Sequence, residues 1–385
     1  MPTLLTIFDR DAFLREYWQA KPLLIRNPWD CWSNPLEPDE LAGLACEREV
    51  ESRLIVREPG DWTLEHGPLT ERCFGRLGGN SWTLLVQAVD HHVPAVAALL
   101  ESFRFIPDWR IDDVMVSYAV DGGGVGAHFD RYDVFLIQGL GTRRWQLGGR
   151  CDETSTLLSH GDLRLLADFE PSEEWLLEPG DILYVPPGIA HNGIAVGDDC
   201  MTYSIGFRAP SRSELIAGWA ESLVADLDDD DRYADANLAA QDNPGEITRD
   251  AITRLHDMTT ERLLDREGFS RWFGRYSTMP KDTDIDWRPE QPIQAEDARR
   301  RLARGACLLR NPASRFSFIQ QGPSSLSLFV DGQCFPCTGE AAAWAQQLCA
   351  QDKAMLSPSM ISSELIMALV TELLNQGSFA FDQDD

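Results

Sequence analysis

Hydrophobic and polar positions change their period twice along the chain. Residues 8–26, FDRDAFLREYWQAKPLLIR, open on an acidic helix-start signal, place Phe13, Leu14, Tyr17 and Trp18 at helical spacing, and turn at Lys21-Pro22 into a short strand-like run. From about 52 to 208 short β-branched and aromatic runs alternate with Gly, Pro and Asp: VMVSYAV at 114–120, DVFLIQG at 133–139, RRWQL at 143–147, ILYVPPG at 182–188 and MTYSIGF at 201–207. Many short strands with turn punctuation predict a sandwich or barrel. After Pro210 the period becomes helical: a capping box at Ser211 and Glu214 precedes Leu215, Ile216, Trp219, Leu223 and Val224, and more helix follows around 245–275. Met279 to Pro292, with three prolines and alternating acids, reads as a linker. Beyond it, 296–305 reads as helix, 306–311 and 315–335 as strands with an Asp331-Gly332 turn, and 339–352 and 362–376 as helices ending at Gly377. That order is a small helix–helix–wing unit.

Composition narrows the class. In 385 residues, 43% hydrophobic and 25% charged, there is material for more than one folded core and no extended low-complexity tract. Asp and Glu number 62 against 34 Lys and Arg, a formal net charge of -28. Such a surface repels phosphate backbones, so direct nucleic-acid binding is not expected even from a winged-helix shape whose helices carry Glu340, Glu364 and Glu372. It suits a basic protein partner, and it also serves plain solubility. The run Asp226 to Asp231 reads as a solvated loop, since it lacks the spaced ligands of a calcium site. Nine scattered cysteines fit a reducing compartment, and the lone Cys334/Cys337 pair has no second pair to complete a zinc site. The start, MPTLLTIFDRDAF, has no apolar run fit for a signal peptide or a span, so a cytoplasmic location without membrane attachment is expected.

The chemistry concentrates in two places. Asp121-Gly122-Gly123-Gly124-Val125-Gly126-Ala127-His128-Phe129-Asp130 sets a His and a carboxylate two apart, which on a strand means one face. The run Glu178 to His191, EPGDILYVPPGIAH, ends in a second His just past a Pro-Pro-Gly turn. Two imidazoles and a carboxylate on one face of an octahedron leave adjacent positions open, the arrangement of non-heme Fe(II) oxygenases. Zinc is the chemical competitor, but its HExxH helix motif does not occur. His66, His91, His92, His160 and His256 have no partner at ligand spacing and are not assigned to metal.

FLREYWQAKPLLIR, WRIDDVMVSYAVDGGGVGAHFDRYDVFLIQGLGTRRWQL, EPGDILYVPPGIAHNG and MTYSIGFRAP resemble the JmjC-domain ribosomal oxygenases, in particular the bacterial branch that hydroxylates an arginine of large-subunit ribosomal protein sixteen. The resemblance runs over nearly the whole chain. It implies an α+β protein: a double-stranded β-helix, or JmjC/cupin-like jelly roll, over 1–210, a helical dimerisation segment over 211–283 and a winged-helix-like domain over 284–385. It implies a homodimer that uses Fe(II), 2-oxoglutarate and O2 on a large-subunit ribosomal protein, with His128, Asp130 and His191 as iron ligands. The family's basic residue fifteen positions after the first His falls on Arg143, whose guanidinium fork suits the distal carboxylate of 2-oxoglutarate. Arg144, its neighbour, would point away on a strand. Ser204 is a further candidate for the same carboxylate, and Asp121 and Tyr132 are candidates for holding a substrate arginine. The other readings are a histidine hydroxylase or methyl-lysine demethylase with the same iron site, or a cupin-like binding module without catalysis.

Overall fold

A computed structural model describes residues 5–58, 61–78, 81–159, 163–228, 230–236 and 238–382, so His160 and Asp229 lie outside the described residues. The β-rich half contains β1 (Leu23–Ile25), β2 (Ser52–Glu58), β3 (Asp61–His66), β4 (Ser81–Val86), β5 (Ile111–Ala119), β6 (Asp133–Arg150), β7 (Glu173–Leu177), β8 (Ile182–Val185) and β9 (Ile189–Phe207). They pair in the order β1-β8-β6-β9-β5-β4-β2-β3, with β7 also on β6 and every pairing antiparallel.

Two segments expected as separate strands, 133–139 and 143–147, form one continuous strand, and the strand expected at 201–207 is the far end of β9. Gly139 and Gly141, which punctuate the sequence like a turn, sit at register shifts between Gln138, Leu140 and Thr142. Extra residues at such bulges bend a ribbon without ending it. The β6–β9 pair therefore starts in one sheet and curls over to close the barrel.

Alternate residues of these strands serve two cores. One face, with Phe135, Ile137, Tyr184, Tyr203, Ile205 and Phe207, is covered by Phe13, Trp29 and Phe103 from the N-terminal segments. The opposite face turns Val134, Leu136, Trp145, Leu147, Leu177, Leu183 and Val185 into the barrel. Burial on both faces makes the frame stiff, which suits a site built on the inner one.

Helices Arg212–Ala225, Arg249–Leu263 and Arg266–Thr278 follow. The Ser211/Glu214 capping box closes the first of them as expected, and its Trp219 packs on Phe269 and Trp272. Met279 to Pro292 carries no helix or strand. It is more than a spacer, because Lys281 Nζ stands 2.8 Å from Asp112 Oδ2 and 3.0 Å from Asp113 Oδ1 at the start of β5. Arg315 Nη2 reaches Asp112 Oδ1 at 2.9 Å, which ties the C-terminal unit to the same strand.

That unit has its own core around Trp344, Val370 and Leu373. It comprises helix Ala295–Ala303, β10 (Leu308–Arg310), β11 (Phe316–Gly322), β12 (Ser325–Val330), β13 (Gln333–Thr338), helix Glu340–Ala350, β14 (Lys353–Ala354), helices Pro358–Ser362 and Glu364–Asn375, and β15 (Phe379–Phe381). Asp331 and Gly332, both at positive φ, make the tight turn between β12 and β13. Cys334 and Cys337 lie three apart on β13 and so face opposite ways, and all nine cysteines are free. No helix among the described residues is long and apolar enough to cross a membrane.

Candidate active site

His128 and Asp130 do not lie on a regular strand, contrary to the reading of their spacing. The segment from Asp121 to Asp130 runs irregularly along β9, bonded through Gly122 N to Ala195 O (3.0 Å) and Ala195 N to Gly123 O (2.8 Å). The glycines permit this close approach, since a Cβ on Gly124 would collide with the Gly193 carbonyl and Gly126 has φ 90°. At the end of the run an isolated antiparallel bridge joins the two histidines, with His128 N to His191 O at 3.0 Å and His191 N to His128 O at 2.8 Å. Gly188 of the Pro-Pro-Gly turn donates its amide to Asp130 O at 2.7 Å, so one turn anchors both the carboxylate and the second imidazole.

The side chains converge. His128, Asp130 and His191 offer ligand atoms that all lie within 4.8 Å of one another, and His191 Nε2 is 3.6 Å from Asp130 Oδ2. Each Nδ1 faces a backbone carbonyl at 2.9 Å, Gly126 O for His128 and Ile189 O for His191. Donation from Nδ1–H leaves each Nε2 lone pair for a metal. Burial, then the adjacent His128 ring, push His191 down to about 4, which keeps it neutral as a ligand must be. Two imidazoles, one carboxylate and no thiolate fit Fe(II).

Arg143 sits on the inner face of β6 opposite Ala195, and Arg144 follows the alternation to the other face. Arg143 is 5% exposed; its Nη1 donates to Ser117 Oγ at 3.4 Å, while Nε and Nη2 are buried without a partner. A buried cation with two unpaired donors is costly unless an anion completes it, and the fork of a guanidinium matches a carboxylate. The chamber thus fits a dicarboxylate beside the metal ligands. Ser204 lies on the same inner face, opposite Leu136 on one side and Met115 on the other, two residues along from the Ser117–Thr202 pair. Ser117 was not singled out by its sequence, because only the closure of the barrel brings it to Arg143.

Tyr132, two residues beyond Asp130, is 43% exposed, with its ring edge near Gly206. Partial burial, then the charges of Asp130 and Asp113, hold its phenol above the ordinary range, so it stays a hydrogen-bond donor. Asp121 is exposed on the turn after β5, and its Oδ1 accepts from Gly197 N at 2.7 Å. Asp133 is fully buried: it accepts from Tyr184 Oη at 2.6 Å, Gln19 Nε2 at 3.0 Å and Arg110 Nη2 at 3.2 Å. That cluster fixes the chain three residues beyond the ligand Asp130. The remaining described histidines stand apart from the triad.

Residues 98–215 match the model of the JmjC domain and residues 257–380 that of the ROXA-like winged helix. The chain is 41% identical over 299 residues to the ribosomal protein uL16 3-hydroxylase of Escherichia coli (strain K12), an alignment that covers 77% of this chain and 79% of that one. The X-ray structure of E. coli ycfD superimposes with a TM-score of 0.90 at 34% identity, covering 99% of this chain and 100% of the other. The structure of YcfD, a ribosomal oxygenase from E. coli, in complex with cobalt and 2-oxoglutarate gives a TM-score of 0.86 at 34% identity, with 99% of both chains covered.

Proposed function

The chain belongs to the JmjC-domain ribosomal oxygenases, and from that premise we propose that it hydroxylates an arginine side chain of a large-subunit ribosomal protein, as uL16 is the substrate named for its E. coli relative. The observation that carries this reading is the buried Arg143 guanidinium, unpaired at two nitrogens, in the chamber that holds His128, Asp130 and His191. An inert cupin-like module has no use for that combination.

His128, Asp130 and His191 would hold Fe(II). Iron loaded there supplies O2 activation coupled to decarboxylation of 2-oxoglutarate to succinate and CO2. Arg143 pairs with the distal carboxylate of the co-substrate, and Ser117 and Ser204 offer hydroxyls to the same end. The barrel wall, from Val134 to Val185, excludes water from this charged pair and so strengthens it. Tyr132, two residues beyond the ligand Asp130, binds the substrate arginine by its ring face and phenol, and Asp121, held by Gly197 at the far end of β5, offers its carboxylate to another basic group of the same substrate. In Asp121 that role shares the side chain with turn capping.

Residues 1–210 form the catalytic jelly roll, 211–283 the dimerisation segment and 284–385 the winged-helix domain. The homodimer is supported by helix Arg249–Leu263, which buries none of its residues, and by exposed Ile216, Val224, Ile252, Leu255 and Leu264 around it. With a ribosomal substrate, the protein works in the cytoplasm.

The test is incubation of the Fe(II)-loaded protein with 2-oxoglutarate, O2 and ribosomal proteins from cells lacking its gene, followed by tandem mass spectrometry. One added oxygen on an arginine carbon is expected, absent with His128→Ala. Oxygen on a histidine, or loss of a lysine methyl group, would replace the arginine assignment with one of those acceptors.

A further inference from the structure

Two residues beyond Arg143 on the same inward face of β6, Trp145 presents another unsatisfied donor: its Nε1 is buried without a partner, like Arg143 Nε and Nη2. The indole lies between the two ends of the chamber. Arg143 Cζ stands 5.7 Å from its ring centroid, and the ring of the ligand His191 stands 5.9 Å from it. Gly193 pairs with Trp145 across β9, and a Cβ there would come within 2.7 Å of the indole, so the missing side chain makes the room the ring occupies.

Trp29 and Trp32 of the barrel half do have acceptors for their N–H. Trp29 donates to Gly180 O at 2.8 Å and Trp32 to Gly139 O at 3.0 Å. Trp344 in the C-terminal core also lacks a partner, so an unpaired indole alone marks nothing. What sets Trp145 apart is its place, with a guanidinium unpaired at two nitrogens on one side and a metal-ligand histidine on the other. Three buried donor atoms without partners on two neighbouring side chains of one strand face are tolerated when a bound anion supplies the acceptors.

We infer that Trp145 is a positioning residue for 2-oxoglutarate: its ring walls the space between Arg143 and the metal ligands, and its Nε1–H donates to a carboxylate oxygen of the bound dianion. The inference rests on the reading of Arg143 as the co-substrate anchor. Its consequence is that the indole N–H matters to the liganded protein and not to the empty one.

The experiment uses full-length protein loaded with Mn(II) under anaerobic conditions and measures the Kd of 2-oxoglutarate by calorimetry for wild type and Trp145→Phe. The variant keeps a ring and removes the N–H. Binding is expected to weaken about tenfold, the size of a hydrogen bond to a charged group. Mn(II) affinity and the unfolding temperature of the metal-free protein are expected to match wild type, and the KM for 2-oxoglutarate to rise by a larger factor than kcat falls. Should the Trp145→Phe protein prove unstable, the benzothiophene analogue of tryptophan at this position retains the full shape without the N–H and is expected to show the same tenfold loss. Equal Kd values for wild type and variant would overturn the inference, and so would a loss of 2-oxoglutarate affinity matched by an equal loss of Mn(II) affinity. Wild-type protein that binds no 2-oxoglutarate would overturn the anchor reading of Arg143 and this inference with it.

Discussion

A guanidinium that is 5% exposed, with one hydroxyl contact and two unpaired nitrogens, carries a burial cost that a bound carboxylate would offset. Arg143→Met is therefore expected to weaken 2-oxoglutarate at least about a hundredfold, the combined worth of two charge-assisted hydrogen bonds, with Arg143→Lys losing less because a point charge remains without the fork. Calorimetry on the Mn(II)-loaded protein checks both, and an Arg143→Met protein with wild-type affinity would remove the residue from the site. Asp133 belongs to the frame instead. Replacing it with Ala leaves Arg110 without its buried partner and strips Tyr184 and Gln19 of their acceptor, an expected loss of about 3 kcal/mol read by denaturant unfolding. The triad was legible in the sequence because its spacing constrains which residues can meet on one metal. Ser117 and Asp133 were not, since their partners lie 26 and 51 residues away and nothing local marks either contact.

The β6–β9 ribbon shows where local pattern misleads. Its glycines at 139 and 141 match a turn in composition, yet pairing with β9 on one side and β8 or β7 on the other outweighs their weak strand preference and turns them into a bend. The HxD segment fails the opposite way: a spacing that suits a strand is held by a single bridge and by glycine-permitted close approach. Helices were read more reliably, as the capping box at Ser211 illustrates, because their signals are local. What local signals do not show is what covers a helix. The exposed Leu255 and Ile252 of helix Arg249–Leu263 are expected to meet a second copy, so Leu255→Asp should convert the dimer to monomers in light scattering while leaving the unfolding of the barrel in place. A wild-type protein that scatters as a monomer would contradict this.

The molecule as a whole carries a net charge of -28, and its C-terminal unit is fastened to the barrel by Arg315 and Lys281 on Asp112. Composition argued against a nucleic-acid surface and for a basic partner; the docking of the two units was not legible, because Met279 to Pro292 looks like any linker until Lys281 is seen on β5. A field of that sign steers a basic ribosomal protein toward the mouth, so kcat/KM with the folded substrate is expected to fall about tenfold between low salt and roughly 0.5 M, where screening shortens the reach of charge to a few ångströms. Turnover of 2-oxoglutarate without protein substrate should change little over the same range. The most direct measurement is the ratio of succinate formed to oxygen atoms inserted into ribosomal protein by the Fe(II)-loaded enzyme. A ratio near one, with both products lost in Asp130→Ala, is the expected result. Oxygen insertion that persists without 2-oxoglutarate, or in the Asp130→Ala protein, would contradict the assignment of this chamber as the place where the two reactions are coupled.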